Sequence, residues 1–135
     1  MTQHDVILIN NCIEKSKIAL IDAERNLNES IYVTQNRNYY AIFYIVLALA
    51  YLDGFQTGKH HKLFGWFNKE YIYTNKVFDI RLKDIYQTLM ANREKTDYGV
   101  SEVPTKAQAE QGLSDAKFFV KTVKEYILKR IEKQI

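Results

Sequence analysis

Between Tyr39 and Leu52 the sequence YYAIFYIVLALAYL sets fourteen apolar or aromatic residues in a row. A polar step containing Arg37 precedes it and Asp53-Gly54 closes it. A bilayer-spanning helix needs about 20 such residues, and Tyr40, Tyr44 and Tyr51 carry hydroxyls that hydrocarbon would leave unpaired. The run therefore predicts no membrane span. It predicts a helix apolar on all sides, at the centre of a bundle or shared between the core and a homodimer interface.

A chain of 135 residues is long enough to bury a core without staples, and it reads as one domain over 1–135. Cys12 is the only cysteine, which rules out an internal disulfide or a zinc knuckle. It reads as a small buried residue on a helix. Met1-Thr2-Gln3-His4-Asp5 lacks the basic and apolar regions of a secretory leader, so a cytoplasmic protein is expected. The formal charge of +3 does not by itself argue for nucleic acid.

One Pro and five Gly leave room for long regular elements, and the periodicity is helical. Val6, Ile9, Ile13, Leu20 and Leu27 mark one face of a first helix over about Gln3 to Asn28. A second runs from an N-cap at Thr34 to Leu52, where Asp53-Gly54 stops it. A short helix after Thr57 carries Leu63, Phe64, Trp66 and Phe67. A third long helix opens near Asn75 with Phe78, Leu82, Ile85 and Leu89 on its stripe, and frays around Glu94 to Thr96. The loop TDYGVSEVP follows. The last helix opens at Thr105 and shows Ala109, Leu113, Ala116, Val120, Val123, Ile127 and Ile131. This predicts an all-α fold, an antiparallel up-and-down four-helix bundle with an extra short helix between the second and third.

Three constellations carry candidate chemistry. Arg37 and Tyr40 share a helix face at the mouth of the apolar run. An arginine there must find an anion or a carbonyl, because an unpaired buried charge is costly. It either ties the helix to a carboxylate or binds phosphate with a tyrosine beside it. Arg93, Asp97 and Tyr98 gather a cation, a carboxylate and a phenol where a helix ends. They read as a C-terminal cap, or as a phosphate-binding arginine with proton-handling partners.

The third is Lys59-His60-His61-Lys62, a patch able to contact phosphate. Adjacent histidines point about 100° apart on a helix, which makes His60 and His61 poor joint ligands, so no metal site is expected. The aromatics of LFGWFNKEYIY fit core packing better than base stacking. P-loop, GxGxxG, HExxH and GxSxG signatures are absent, and no cofactor is expected.

Taken in order, NRNYYAIFYIVLALAYLDGFQTGKHHKLFGWFNKEYI, REKTDYGV and AEQGLSDAKFFVKTVKEYI resemble the HEPN domain superfamily, in its small stand-alone prokaryotic branch. The matching positions are Arg37, Tyr40, Gly54, His60 or His61, Phe67, Arg93, Asp97 and Tyr98. The resemblance covers about Lys15 to Ile131. It implies a dimerising helical bundle encoded beside a minimal nucleotidyltransferase as a toxin–antitoxin pair. Active members are metal-independent ribonucleases with an Arg-x(4–6)-His motif in the dimer cleft. The motif's arginine carries over to Arg93, whereas Tyr98, Gly99 and Val100 stand where its histidine belongs. Some members are modified on a nearby tyrosine by the partner transferase, and Tyr98 is the nearest counterpart.

The expectation is a homodimeric nucleotide- or RNA-binding component of such a pair. Arg37, Tyr40, His60 and His61 would bind, and Arg93, Asp97 and Tyr98 would form the reactive group. A weak or degenerate ribonuclease and an adapter without a site of its own are the alternatives.

Overall fold

A computed structural model describes residues 1–133; the last two positions of the expected 1–135 span lie outside the described residues. The helices are α1 (Gln3–Asn26), α2 (Ile31–Asp53), α3 (His60–Phe67), α4 (Ile80–Tyr98) and α5 (Lys106–Lys133). A π-helical turn, Asn68–Thr74, continues α3. Among the described residues the fold is all-helical. The bundle is formed by α1, α2, α4 and α5, and α3 with its π-turn is the short insertion.

Helix α2 is the central element and packs against α1, α3, α4 and α5. Its composition dictates this: Tyr39, Ala41, Ile42, Ile45, Val46, Ala48, Leu49 and Ala50 are wholly buried. Each large aliphatic side chain among them contributes roughly 1.5–3 kcal/mol through burial. Tyr40, Tyr44, Leu47 and Tyr51 are only half-buried against the same core. No helix among the described residues is long and apolar enough to cross a membrane.

The seam of α1 is built from small residues. Ile9, Cys12, Ser16, Ala19 and Ala23 are buried, at steps of three and four, while Ile13 and Leu20 lie at the edge. Small side chains let the backbones approach, so that the Ser16 hydroxyl donates to the Ala41 carbonyl at 2.7 Å. Cys12 lies in this seam, and burial pushes its thiol up from the usual cysteine range.

Several boundaries differ from the sequence reading. Helix α2 begins at Ile31, with Ser30 as its N-cap and not Thr34. Thr34 is buried one turn inside, where its hydroxyl donates to the Ala23 carbonyl at 2.7 Å. Helix α1 ends two residues earlier than expected, with the Asn26 side chain donating back to the Asp22 carbonyl.

Helix α4 begins at Ile80, capped by Asp79, and not near Asn75. The intervening residues are irregular because the backbone N–H groups of Val77 and Phe78 both donate to the Tyr71 carbonyl, and Lys76 is left-handed at φ 49°. Phe78 still reaches the core from this loop, against Phe67, Tyr71 and Tyr126.

The expected fraying at Glu94 to Thr96 does not occur; α4 continues to Tyr98. Its last turn is held from the side by Arg93 and Asn36, both bonded to Asp97. At the other boundaries the reading and the structure agree. Gly54 ends α2 in the left-handed conformation at φ 76°. Thr105 and Gln108 exchange side-chain and backbone hydrogen bonds across the first turn of α5.

Candidate functional site

Arg93 projects from the last turns of α4 toward the N-terminal half of α2. Its Nε donates to Asp97 Oδ2 at 3.1 Å, the i, i+4 partner one turn on. Its Nη2 donates to the Tyr40 hydroxyl at 3.0 Å and to the Tyr98 hydroxyl at 3.3 Å. The guanidinium carbon lies 5.3 Å from the ring centres of Tyr40 and Tyr98 and 5.5 Å from that of Tyr39. The Arg93 side chain is 15% exposed, so its ion pair is better shielded than a surface bridge. Nη1 makes no protein hydrogen bond among the described residues, which leaves two N–H donors for an external acceptor.

Asp97 is shared. The same Oδ2 accepts from Asn36 Nδ2 at 2.9 Å, and the side-chain oxygen Oδ1 of Asn36 accepts from both Nε and Nη2 of Arg37, at 3.0 and 2.8 Å. Arg37 also lies over the Tyr40 ring, 5.0 Å from its centre. Tyr40 therefore stands beside two guanidiniums, with Asp97 as the carboxylate bonded into the group. Two cations and one carboxylate leave a net positive field, which favours an anion such as phosphate.

His60, the first residue of α3, enters from a third element. Its ring stacks on Phe43 at 4.3 Å and meets Tyr40 edge-on at 5.9 Å. Nδ1 lies 2.6 Å from the hydroxyl of Tyr39, which is wholly buried. Burial holds the Tyr39 hydroxyl well above the usual tyrosine range, so it stays protonated. Its proton has His60 Nδ1 as acceptor, since leaving it unpaired in the interior would be costly. That places the imidazole proton on Nε2. Burial first, then the Arg93 guanidinium and the neighbouring His61 imidazole, hold His60 below the usual histidine range; Glu94 opposes them. The ring is neutral at pH 7.

Of the residues singled out in the sequence, Arg37, Tyr40, His60, Arg93, Asp97 and Tyr98 thus come together. Tyr98 is 70% exposed at the lip of the cluster. His61 stands apart on the surface, 3.3 Å from Glu94, with its side chain 75% exposed. Asn36 and Tyr39 are the connecting residues that sequence reasoning did not assign. Their partners lie 61 and 21 positions away, and no local spacing signals such contacts.

A second Arg–Asp–Tyr–Tyr cluster sits at the far end of α2. Arg130 Nη1 lies 2.6 Å from Asp53 Oδ1 and donates to Tyr71 at 2.8 Å and Tyr126 at 3.5 Å, while Tyr71 donates to Asp53. It ties the end of α2 to the π-turn and α5. Among the described residues no three His, Cys, Asp or Glu side chains converge as a metal site requires.

A model of the HEPN domain matches residues 9–126 of the chain. A UPF0332 protein of Thermotoga maritima is 34% identical over 88 residues, which cover 65% of this chain and 61% of that protein. The chain thus matches less than two thirds of that relative's length. A protein of Methanocaldococcus jannaschii described as a putative toxin is 28% identical over 123 residues, 90% of this chain and 83% of that protein.

Proposed function

The chain belongs to the HEPN domain family, and from that premise we propose that it is a cytoplasmic, toxin-like, nucleotide- or RNA-binding protein. It acts as a homodimer in a two-component pair with a minimal nucleotidyltransferase. The observation that carries the reading is Arg93, held by Asp97, Tyr40 and Tyr98 with Nη1 left open. Nη1 takes a phosphate oxygen, Arg37 adds charge, and the exposed Tyr98 ring offers a stacking face for a base. The neutral His60 adds an Nε2–H donor beside them. The half-buried Tyr44, Leu47 and Tyr51 of α2 suit a self-interface, and the description of the M. jannaschii relative as a putative toxin supports the pairing.

Titration of the purified chain with labelled single-stranded RNA and with nucleotides, at low salt, tests this. Binding that weakens at least tenfold in Arg93→Ala is expected. No binding of either, together with an unchanged Arg93→Ala, rejects it. Such a protein, destabilised by Arg93→Ala but without a ligand, would be an adapter.

A second reading, metal-independent RNA cleavage, is favoured by His60, a histidine brought to the arginine by α3 although none follows Arg93 within α4. Incubation with RNA in EDTA separates the two. Cleavage lost in both Arg93→Ala and His60→Gln supports the nuclease; intact RNA leaves binding alone.

A further inference from the structure

The α1–α5 surface carries a feature that the Arg93 cluster does not use. A groove of about 230 Å³ runs between the two helices, floored by Ile13, Leu20 and Val120 and rimmed by Lys17, Lys117, Lys121 and Lys124. Lys117 pairs with Glu24 at 2.7 Å. Lys17, Lys121 and Lys124 have no ion-pair partner among the described residues. The three α5 lysines recur at i, i+4 and i+7, so they line one lip over about 10 Å. Their aliphatic stems extend the apolar walls while the ammonium groups stay in water.

We propose that this groove docks a helix of a partner protein, one whose short apolar stripe is flanked by Asp or Glu. Two antiparallel helices leave a groove into which the ridge of a third fits. The aliphatic floor takes two or three Leu- or Ile-sized side chains, and the lysine rim sets the sign of the flanking residues, as charged positions do beside a coiled-coil seam. A nucleic acid would answer the rim but gain nothing from the floor. The groove also offers no arginine fork or aromatic ring to read one. Carboxylates at one-turn spacing satisfy both parts, and meeting the three unpaired lysines relieves their mutual repulsion.

The test uses the full chain and a labelled, cross-linked helical peptide of about 14 residues, with Leu along one stripe and Glu on both sides. Its controls are a scrambled peptide of the same composition, polyuridylate, and the chain alone. Expected is salt-sensitive binding of the helical peptide that weakens at least tenfold in Lys121→Glu/Lys124→Glu, persists in Arg93→Ala, and is absent for the scrambled peptide. Circular dichroism confirms that the variants fold. Equal binding of the scrambled peptide, or indifference to the charge reversal, overturns the proposal. So does charge-sensitive binding of polyuridylate without the peptide, which marks a nucleic-acid surface. A change in oligomeric state on charge reversal of the chain alone, which marks a second copy as the occupant, also overturns it.

Discussion

The Arg93 guanidinium donates to the Tyr40 hydroxyl at 3.0 Å across 53 positions of sequence, joining the end of α4 to the head of the central helix. That bond makes one site out of two separate stretches. It also positions the arginine so that part of its fork is occupied and part is open.

Replacing Arg93 by Ala should weaken RNA or nucleotide binding by about tenfold to a hundredfold, the range of one charge-assisted phosphate contact. Arg37→Ala should cost less and should lower the slope of log affinity against log salt by about 0.7, one single-strand phosphate contact. Titrations at several salt concentrations check both.

Asp97→Asn should act in the opposite direction on affinity. The carboxylate competes with a phosphate for the same guanidinium, so its removal should tighten binding several-fold. The melting temperature should fall only slightly, since a part-exposed i, i+4 pair contributes about 0.3–1 kcal/mol. Calorimetric binding and thermal denaturation of the same variant report the two effects separately.

His60 sets a pH dependence. Its folded-state pKa is depressed by burial and Arg93, so the unfolded chain takes up a proton first as the pH falls. The stability it contributes is fully present above the ordinary histidine range. It is lost as the pH falls from there through the depressed folded-state value. The NMR titration of the His60 ring should have its midpoint below about 6.5, and Tyr39→Phe should shift it. A midpoint at or above the ordinary value contradicts the neutral Nε2–H ring.

Gly112 tests the packing behind the site. A Cβ there would lie 2.8 Å from Asn38 Nδ2 and 3.1 Å from Leu89 Cδ2, and Asn38 also donates to the Ala109 carbonyl. Gly112→Ala should destabilise by about 1–3 kcal/mol through overpacking, despite the better helix propensity of alanine. Urea unfolding checks it.

At the far cluster, Asp53→Ala leaves the partly shielded Arg130 without its carboxylate and removes the Tyr71 acceptor. The cost should be about 1–3 kcal/mol, with RNA binding unchanged. A loss of binding at normal stability would assign this cluster to the functional site.

Much of the fold is legible in the sequence because apolar spacing survives in it. The Tyr39–Leu52 run announces a central helix, and Gly54 and Thr105 mark boundaries by chemistry that acts within four residues. Ser30 is passed over because Ile31-Tyr32-Val33 resembles extended chain, and because Thr34 is an equally good cap whose hydroxyl in fact crosses to α1. The α4 half of the site is legible as an i, i+4 pair, Arg93 and Asp97. The α2 half is legible only as an arginine that needs a partner. That Asn36 joins it to Asp97, and that His60 completes the group through Tyr39, depends on how three helices pack, and no local pattern encodes that.

The π-turn at Asn68–Thr74 holds one residue of slack. Its rings close over five positions, as in the Asn75 N–H to Glu70 carbonyl bond, one more than in an α-helix. Its seven residues turn about as far as six would in an α-helix, so the loss of one residue here lets the segment tighten into an α-helix while the parts on either side keep their facing. A deletion inside α3 or α4 has no such slack and rotates everything beyond it by about 100°. The turn is therefore the place where this fold absorbs a change of one residue in chain length.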